Sequence, residues 1–79
     1  MNPMSTVPTD RNVILHMPDH STFCAGLEQF EGEEEDTYGW VCHDFGASPD
    51  DWHDDVCWGV NYNGKQSTQP IGWSEYKST

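Results

Sequence analysis

The stretch STFCAGLEQFEG, residues 21–32, decides the fold. Read with a helical period, Phe23, Leu27 and Phe30 fall at i, i+4 and i+7 and make one apolar stripe. Ser21 stands where a helix N-cap belongs, and Gly32 where a C-terminal cap belongs. Read with a period of two, Phe23, Ala25 and Leu27 alternate, which is the pattern of a strand. The cap signals at both ends favour the helix, and it is expected to be the main helix of the chain.

Outward from this stretch the pattern is of strands and turns. Before it, NVILHM (12–17) is a short apolar run rich in β-formers, stopped by Pro18-Asp19. Residues 1–11 carry Pro3, Pro8 and scattered Ser and Thr, and are expected to be a flexible or loosely packed arm. After it, the acidic turn Glu33–Asp36 leads into TYGWVCHDF (37–45), an aromatic and β-branched strand. Tyr38, Trp40 and Cys42 share one face of that strand; Val41, His43 and Phe45 share the other. Both faces are partly apolar, which places the strand centrally in a sheet. Ser48-Pro49-Asp50-Asp51 then reads as a helix start, with a cap, a first-turn proline and two carboxylates that suit the helix dipole. A short acidic helix near 49–56 follows, with Trp52 and Val56 meeting at i, i+4. Trp58–Tyr62 alternates as a strand, Asn63-Gly64 is a hairpin signal, and a polar return strand from Lys65 to about Trp73 contains Pro70 and belongs at an edge. The expected fold is α+β: residues 12–79 as one small domain, with an antiparallel or mixed sheet of three to four strands, one main helix and one short acidic helix.

Composition bounds the function. The chain has 79 residues, and chains of this size bury small cores. Leu, Ile, Val and Phe total 12, so four Trp and three Tyr must supply much of the core. No apolar run approaches the ~20 residues of a membrane span, and MNPMSTVPTD lacks the basic and apolar regions of a signal peptide. A soluble protein of the cytoplasm is the expectation. Fourteen Asp and Glu against three Lys and Arg give a net charge of −11, which argues against direct nucleic-acid binding because phosphate repels carboxylates.

The charge is also unevenly placed. Arg11 and Lys65 are consecutive basic residues, and twelve acidic residues lie between them. Like charges left unpaired oppose a compact state, so an external positive partner explains them better than solubility alone. Duplex DNA carries one charge per ~1.7 Å of axis, so twelve carboxylates match roughly 20 Å of duplex. The densest blocks are EGEEED (31–36) and SPDDWHDD (48–55). In size, in the basic-free stretch from Asn12 to Gly64 and in these two blocks, the chain resembles the small acidic inhibitors of phages and mobile elements, the anti-CRISPR and anti-restriction DNA mimics. The resemblance is of type rather than of motif. It implies binding without catalysis to a Lys/Arg-lined surface of a nucleic-acid-handling protein or complex: a CRISPR effector, a restriction enzyme or a repair enzyme. The expected partner-binding residues are Glu33, Glu34, Glu35, Asp36, Asp50, Asp51, Asp54 and Asp55, each pairing with Lys or Arg. Trp52, between acidic pairs, is added as an aromatic anchor.

Two other chemistries are weighed against this. The rival reading is a non-mimic adaptor or structural interaction protein whose acidity is incidental; Cys24, Cys42, His43, His53 and Cys57 are competent zinc ligands, so a zinc-stabilised module is a third reading. There is no C-x2-C pair, and the odd cysteine count without a signal peptide suits reduced thiols; a Cys42–Cys57 bridge is allowed on loop length. The cluster Asp50–Asp55 lacks the glycine and bidentate glutamate of a calcium loop. His43–Asp44 and His53–Asp54 are sequence neighbours, and neighbours on a strand face opposite ways, so neither is an acid–base dyad. No catalytic residue, metal or cofactor is expected.

Overall fold

A computed structural model describes residues 1–30, 37–44, 46–57 and 67–77. Five strands form one antiparallel sheet: β1 (Val13–His16), β2 (Thr22–Phe30), β3 (Thr37–Cys42), β4 (Val56–Cys57) and β5 (Gly72–Glu75), in the order β4-β3-β2-β1-β5. The only helical pieces among the described residues are two 3-10 turns of three residues, Met4–Thr6 and His53–Asp55. None of the described helices is long and apolar enough to cross a membrane. The fold is therefore mostly β and not α+β. Neither expected helix forms, and the sheet has more strands than the sequence suggested.

The decisive stretch is the central strand. β2 pairs with β1 along one edge and with β3 along the other. Phe23, Cys24, Ala25 and Gly26 are all buried, so this strand is covered on both faces where it crosses the middle of the sheet. A strand buried on both sides has little alternation to display, and the chance helical spacing of Phe23, Leu27 and Phe30 then dominates the pattern. Ser21 is not a helix cap. Its amide and hydroxyl both donate to Asp19 Oδ1, at 3.0 and 2.6 Å. That Asx turn closes the β1–β2 hairpin, together with His20 N–H to the Met17 carbonyl and Met17 N–H to the Ser21 carbonyl. His20 takes a left-handed conformation there, at φ 73°.

The register gives the core its rows. Directly opposed residues share a face. Trp73, Leu15 and Phe23 align across β5, β1 and β2; Val13, Ala25 and Cys42 align across β1, β2 and β3. Met17, Trp52 and Cys57 complete this inner cluster, with Met4, Val7 and Trp40 packed against it. Trp52 meets Phe23 edge-to-face, with centroids 5.1 Å apart and planes at 88°. Its indole N–H donates to the Thr68 carbonyl at 2.7 Å.

The expected arm is docked onto the sheet. Asn2 and Trp73 exchange two backbone hydrogen bonds, at 2.7 and 2.9 Å, which covers part of the outer edge of β5. The Trp73 indole N–H lies 3.1 Å from both the Pro3 carbonyl and Thr6 Oγ1. The return strand also lies elsewhere than the hairpin reading put it. β5 pairs with β1, at the opposite edge from β4, while Asn63-Gly64 and Trp58–Tyr62 lie outside the described residues. The 67–71 stretch leads to that edge: Ser67 and Thr68 bond to Asp51, and Ile71 N–H reaches the His16 carbonyl.

Candidate partner-binding site

The topology places the described acidic residues relative to the sheet ends. β1 ends at His16 and the chain turns through Asp19; β3 ends at Cys42 and passes through Asp44 into the 46–55 segment. Asp19, Asp44 and the Asp50–Asp55 block therefore leave the sheet at the same end. Glu33, Glu34, Glu35 and Asp36 lie outside the described residues. The residues that flank them, Phe30 and Thr37, pair at the other end of the β2–β3 ladder. At ~3.4 Å per residue, the five steps from Thr37 to Cys42 separate the two ends by roughly 17 Å.

Within the second block the acidic residues divide. Asp50 and Asp54 are exposed. Asp51 is half-buried and structural: Oδ2 accepts from the Thr68 amide at 2.9 Å and the Thr68 hydroxyl at 2.6 Å. Asp55 is also half-buried and accepts from the Ser48 hydroxyl at 2.8 Å. Ser48 thus serves an aspartate seven residues on and not a helix. Pro49–Trp52 closes as a single turn, with Trp52 N–H on the Pro49 carbonyl. Asp54 and Asp55 follow with φ of 58° and 61°, a left-handed pair that ends any helical continuation. Aspartate enters this region more readily than most residues. Trp52 is 3% exposed. It is a core side chain, and the anchor reading of it does not hold.

Elsewhere Asp10, Asp19, Glu28 and Asp44 are exposed. The hydrogen bonds from Ser21, its hydroxyl first, hold the Asp19 carboxyl below its ordinary value. Asp44 Oδ2 accepts the Cys24 amide at 2.8 Å, which extends the β2–β3 pairing through a side chain. One ion pair occurs among the described residues, Arg11 with Glu75 at 2.7 Å, and both partners are half exposed.

The cysteines lie beneath this surface, with Cys24 and Cys42 both bonded to Asp44. Cys42 and Cys57 lie on the inner face, whereas Cys24, next to Ala25 on β2, lies on the other. All three are free and buried. Burial raises each thiol pKa, that of Cys57 to about 11 despite a hydrogen bond from Gln69 Nε2. Such thiols are protonated at neutral pH and are poor nucleophiles. No three His, Cys, Asp or Glu side chains among the described residues are gathered as a metal ion would require.

A convergence that the linear sequence hides lies on the face opposite Trp52. Asn12, just before β1, brings its side chain over Gly26 of β2, and Asp10 and Glu28 lie on the same depression. His43, whose amide bonds to the Cys24 carbonyl, joins them from β3's end. They line a depression of about 330 Å³. Positions 10–12, 26–28 and 43 have no common spacing, so only the fold brings them together. Compared with family models, with curated proteins and with solved structures, the chain shows no match.

Proposed function

We propose that this protein is a small acidic inhibitor that occupies a Lys/Arg-rich nucleic-acid-binding site of a partner by charge mimicry. It acts by binding, without catalysis and without a metal or cofactor. The partner class is a nucleic-acid-handling protein or complex of the bacterial cytoplasm, of the CRISPR-effector, restriction or repair kind, as for phage anti-CRISPR and anti-restriction proteins. The observation that supports this reading is the group of exposed carboxylates Asp19, Asp44, Asp50 and Asp54 leaving one end of the sheet, with Arg11–Glu75 the single ion pair among the described residues. A surface whose carboxylates pair with no Lys or Arg among the described residues is matched to cations supplied from outside.

The test has two steps. The tagged full chain is used to capture its target from a bacterial lysate, and the dissociation constant is then measured across salt with and without a competing oligonucleotide. The Debye length falls from ~8 Å at 0.15 M to ~3 Å at 1 M salt, so a charge-led complex weakens steeply over that range. Oligonucleotide must compete. Salt-independent affinity, or a ternary complex with oligonucleotide on the same target surface, overturns the mimic reading. A melting midpoint that drops by more than ~10 °C on chelation would favour the zinc-stabilised module instead.

A further inference from the structure

The depression on the outer face of the sheet brings two carboxylates, an amide and an imidazole together beside Arg11. Asp10 and Glu28 line it, and the Asn12 and His43 side chains both approach Gly26. A Cβ at Gly26 would collide with Asn12 Oδ1 and would stand 3.4 Å from His43 Nε2. Glycine is thus what lets the Asn12 amide lie against the strand, while the His43 imidazole would be in ordinary contact with a side chain there. The side chains of Asp10, Asn12, Glu28 and His43 make no hydrogen bond or ion pair among the described residues. Arg11 also lines the depression, but its guanidinium is held by Glu75 at 2.7 Å. The remaining charge in the hollow is two carboxylates, beside an amide oxygen and an imidazole.

We infer that this depression is a seat for one guanidinium group, the side chain of an arginine presented by a basic partner. The assignment of the arginine to a partner rests on the charge-mimic reading above. A guanidinium carries five N–H donors in a plane, so it can serve acceptors on several sides at once. Asp10, in the bend before β1, and Glu28, on β2, provide two of them, Asn12 Oδ1 a third, and the His43 imidazole completes the lining. An ammonium group has a compact charge and three donors on a flexible stem, and it uses such a planar site less well.

The probe is N-acetyl-arginine amide, titrated into the isotope-labelled full chain and followed by amide chemical shifts. N-acetyl-citrulline amide serves as the neutral isostere and N-acetyl-lysine amide as the ammonium control. Saturable shifts are expected at Asn12, Gly26, Glu28 and His43 with the arginine probe. The double variant Asp10→Asn, Glu28→Gln should weaken that response by about fivefold or more, since two charge-assisted contacts are lost. Both positions are exposed, so the rest of its spectrum should match the parent. The variant Asp50→Asn, Asp54→Asn should leave the response intact. An equal response to citrulline or lysine, or shifts spread evenly to Asp19, Asp50 and Asp54, overturns the seat. Hexalysine separates this outcome from the broader reading. Salt-sensitive hexalysine binding without a localised arginine response sinks the seat alone, while a localised arginine response without hexalysine binding sinks the mimic reading alone.

Discussion

Asp51 accepts from the Thr68 amide and hydroxyl, while Asp50, one position earlier, is exposed. The two therefore answer differently to the same substitution. Asp51→Ala leaves the Thr68 donors without their acceptor and is expected to destabilise by about 1–3 kcal/mol, whereas Asp50→Ala should stay within about 0.5 kcal/mol of the parent. Urea denaturation of both variants checks the contrast. Trp52→Ala removes a buried ring from Phe23 and frees the Thr68 carbonyl. A loss of about 3–5 kcal/mol is expected, which in a domain of this size lowers the melting temperature by more than about 10 °C. If Trp52 variants melt like the parent, the packing described for the inner face is wrong. At Asp19 the depressed carboxyl gives a pH signature. Its contribution to stability is present above the unfolded-state pKa and is lost as pH falls through the lower folded value. Ser21→Ala should bring the Asp19 pKa back toward its ordinary value, as read by carboxyl chemical shifts during an acid titration.

At the scale of elements, the 46–55 segment is a loop with two left-handed aspartates, not a helix whose dipole needs acidic residues. Reversing all four of Asp50, Asp51, Asp54 and Asp55 to Lys would therefore test folding and binding together. The pair Asp50→Lys, Asp54→Lys tests the surface alone, because Asp51 and Asp55 keep their partners. This pair should melt within a few degrees of the parent and bind the captured target at least about tenfold more weakly. Parent-like affinity would remove this block from recognition. The N-terminal segment is an element of the same standing. Deleting residues 1–7 takes Asn2 from the β5 edge and the carbonyl and hydroxyl acceptors from the Trp73 indole. The truncated chain should melt lower, and its Trp73 indole proton should exchange faster by NMR, since Asn2, Met4 and Thr6 no longer cover it.

For the whole molecule, the net charge of −11 sets the response to salt. Self-repulsion among carboxylates is screened as ions are added, while Arg11–Glu75, half exposed, loses little by the same screening. The melting temperature should rise between roughly 0.01 and 0.5 M sodium chloride, a range over which the Debye length contracts from ~30 Å to a few ångströms. The complex with the target should move the other way. Opposite salt trends for the free chain and for the complex are thus a joint expectation. A flat melting curve across salt would mean that the carboxylates are answered inside the fold.

The sequence by itself determined the charge asymmetry, the first strand, the turn after it, the interior strand from Thr37 and an aromatic contribution to the core. These are local or additive properties: counts of ionisable groups, short β-rich runs, and Pro-Asp in a turn. Only the tertiary structure decided that residues 22–30 are a strand. Their periodicity permits either state, and the hydrogen-bonding edges of β1 and β3 on both sides settle it. Only the structure divided the second acidic block into exposed Asp50 and Asp54 and structural Asp51 and Asp55, because the Thr68 and Ser48 donors lie 17 and 7 positions away. The same holds for Asp10, Asn12, Glu28 and His43. A site assembled from three separate segments has no linear spacing to read, since the fold, and not sequence distance, sets which side chains meet.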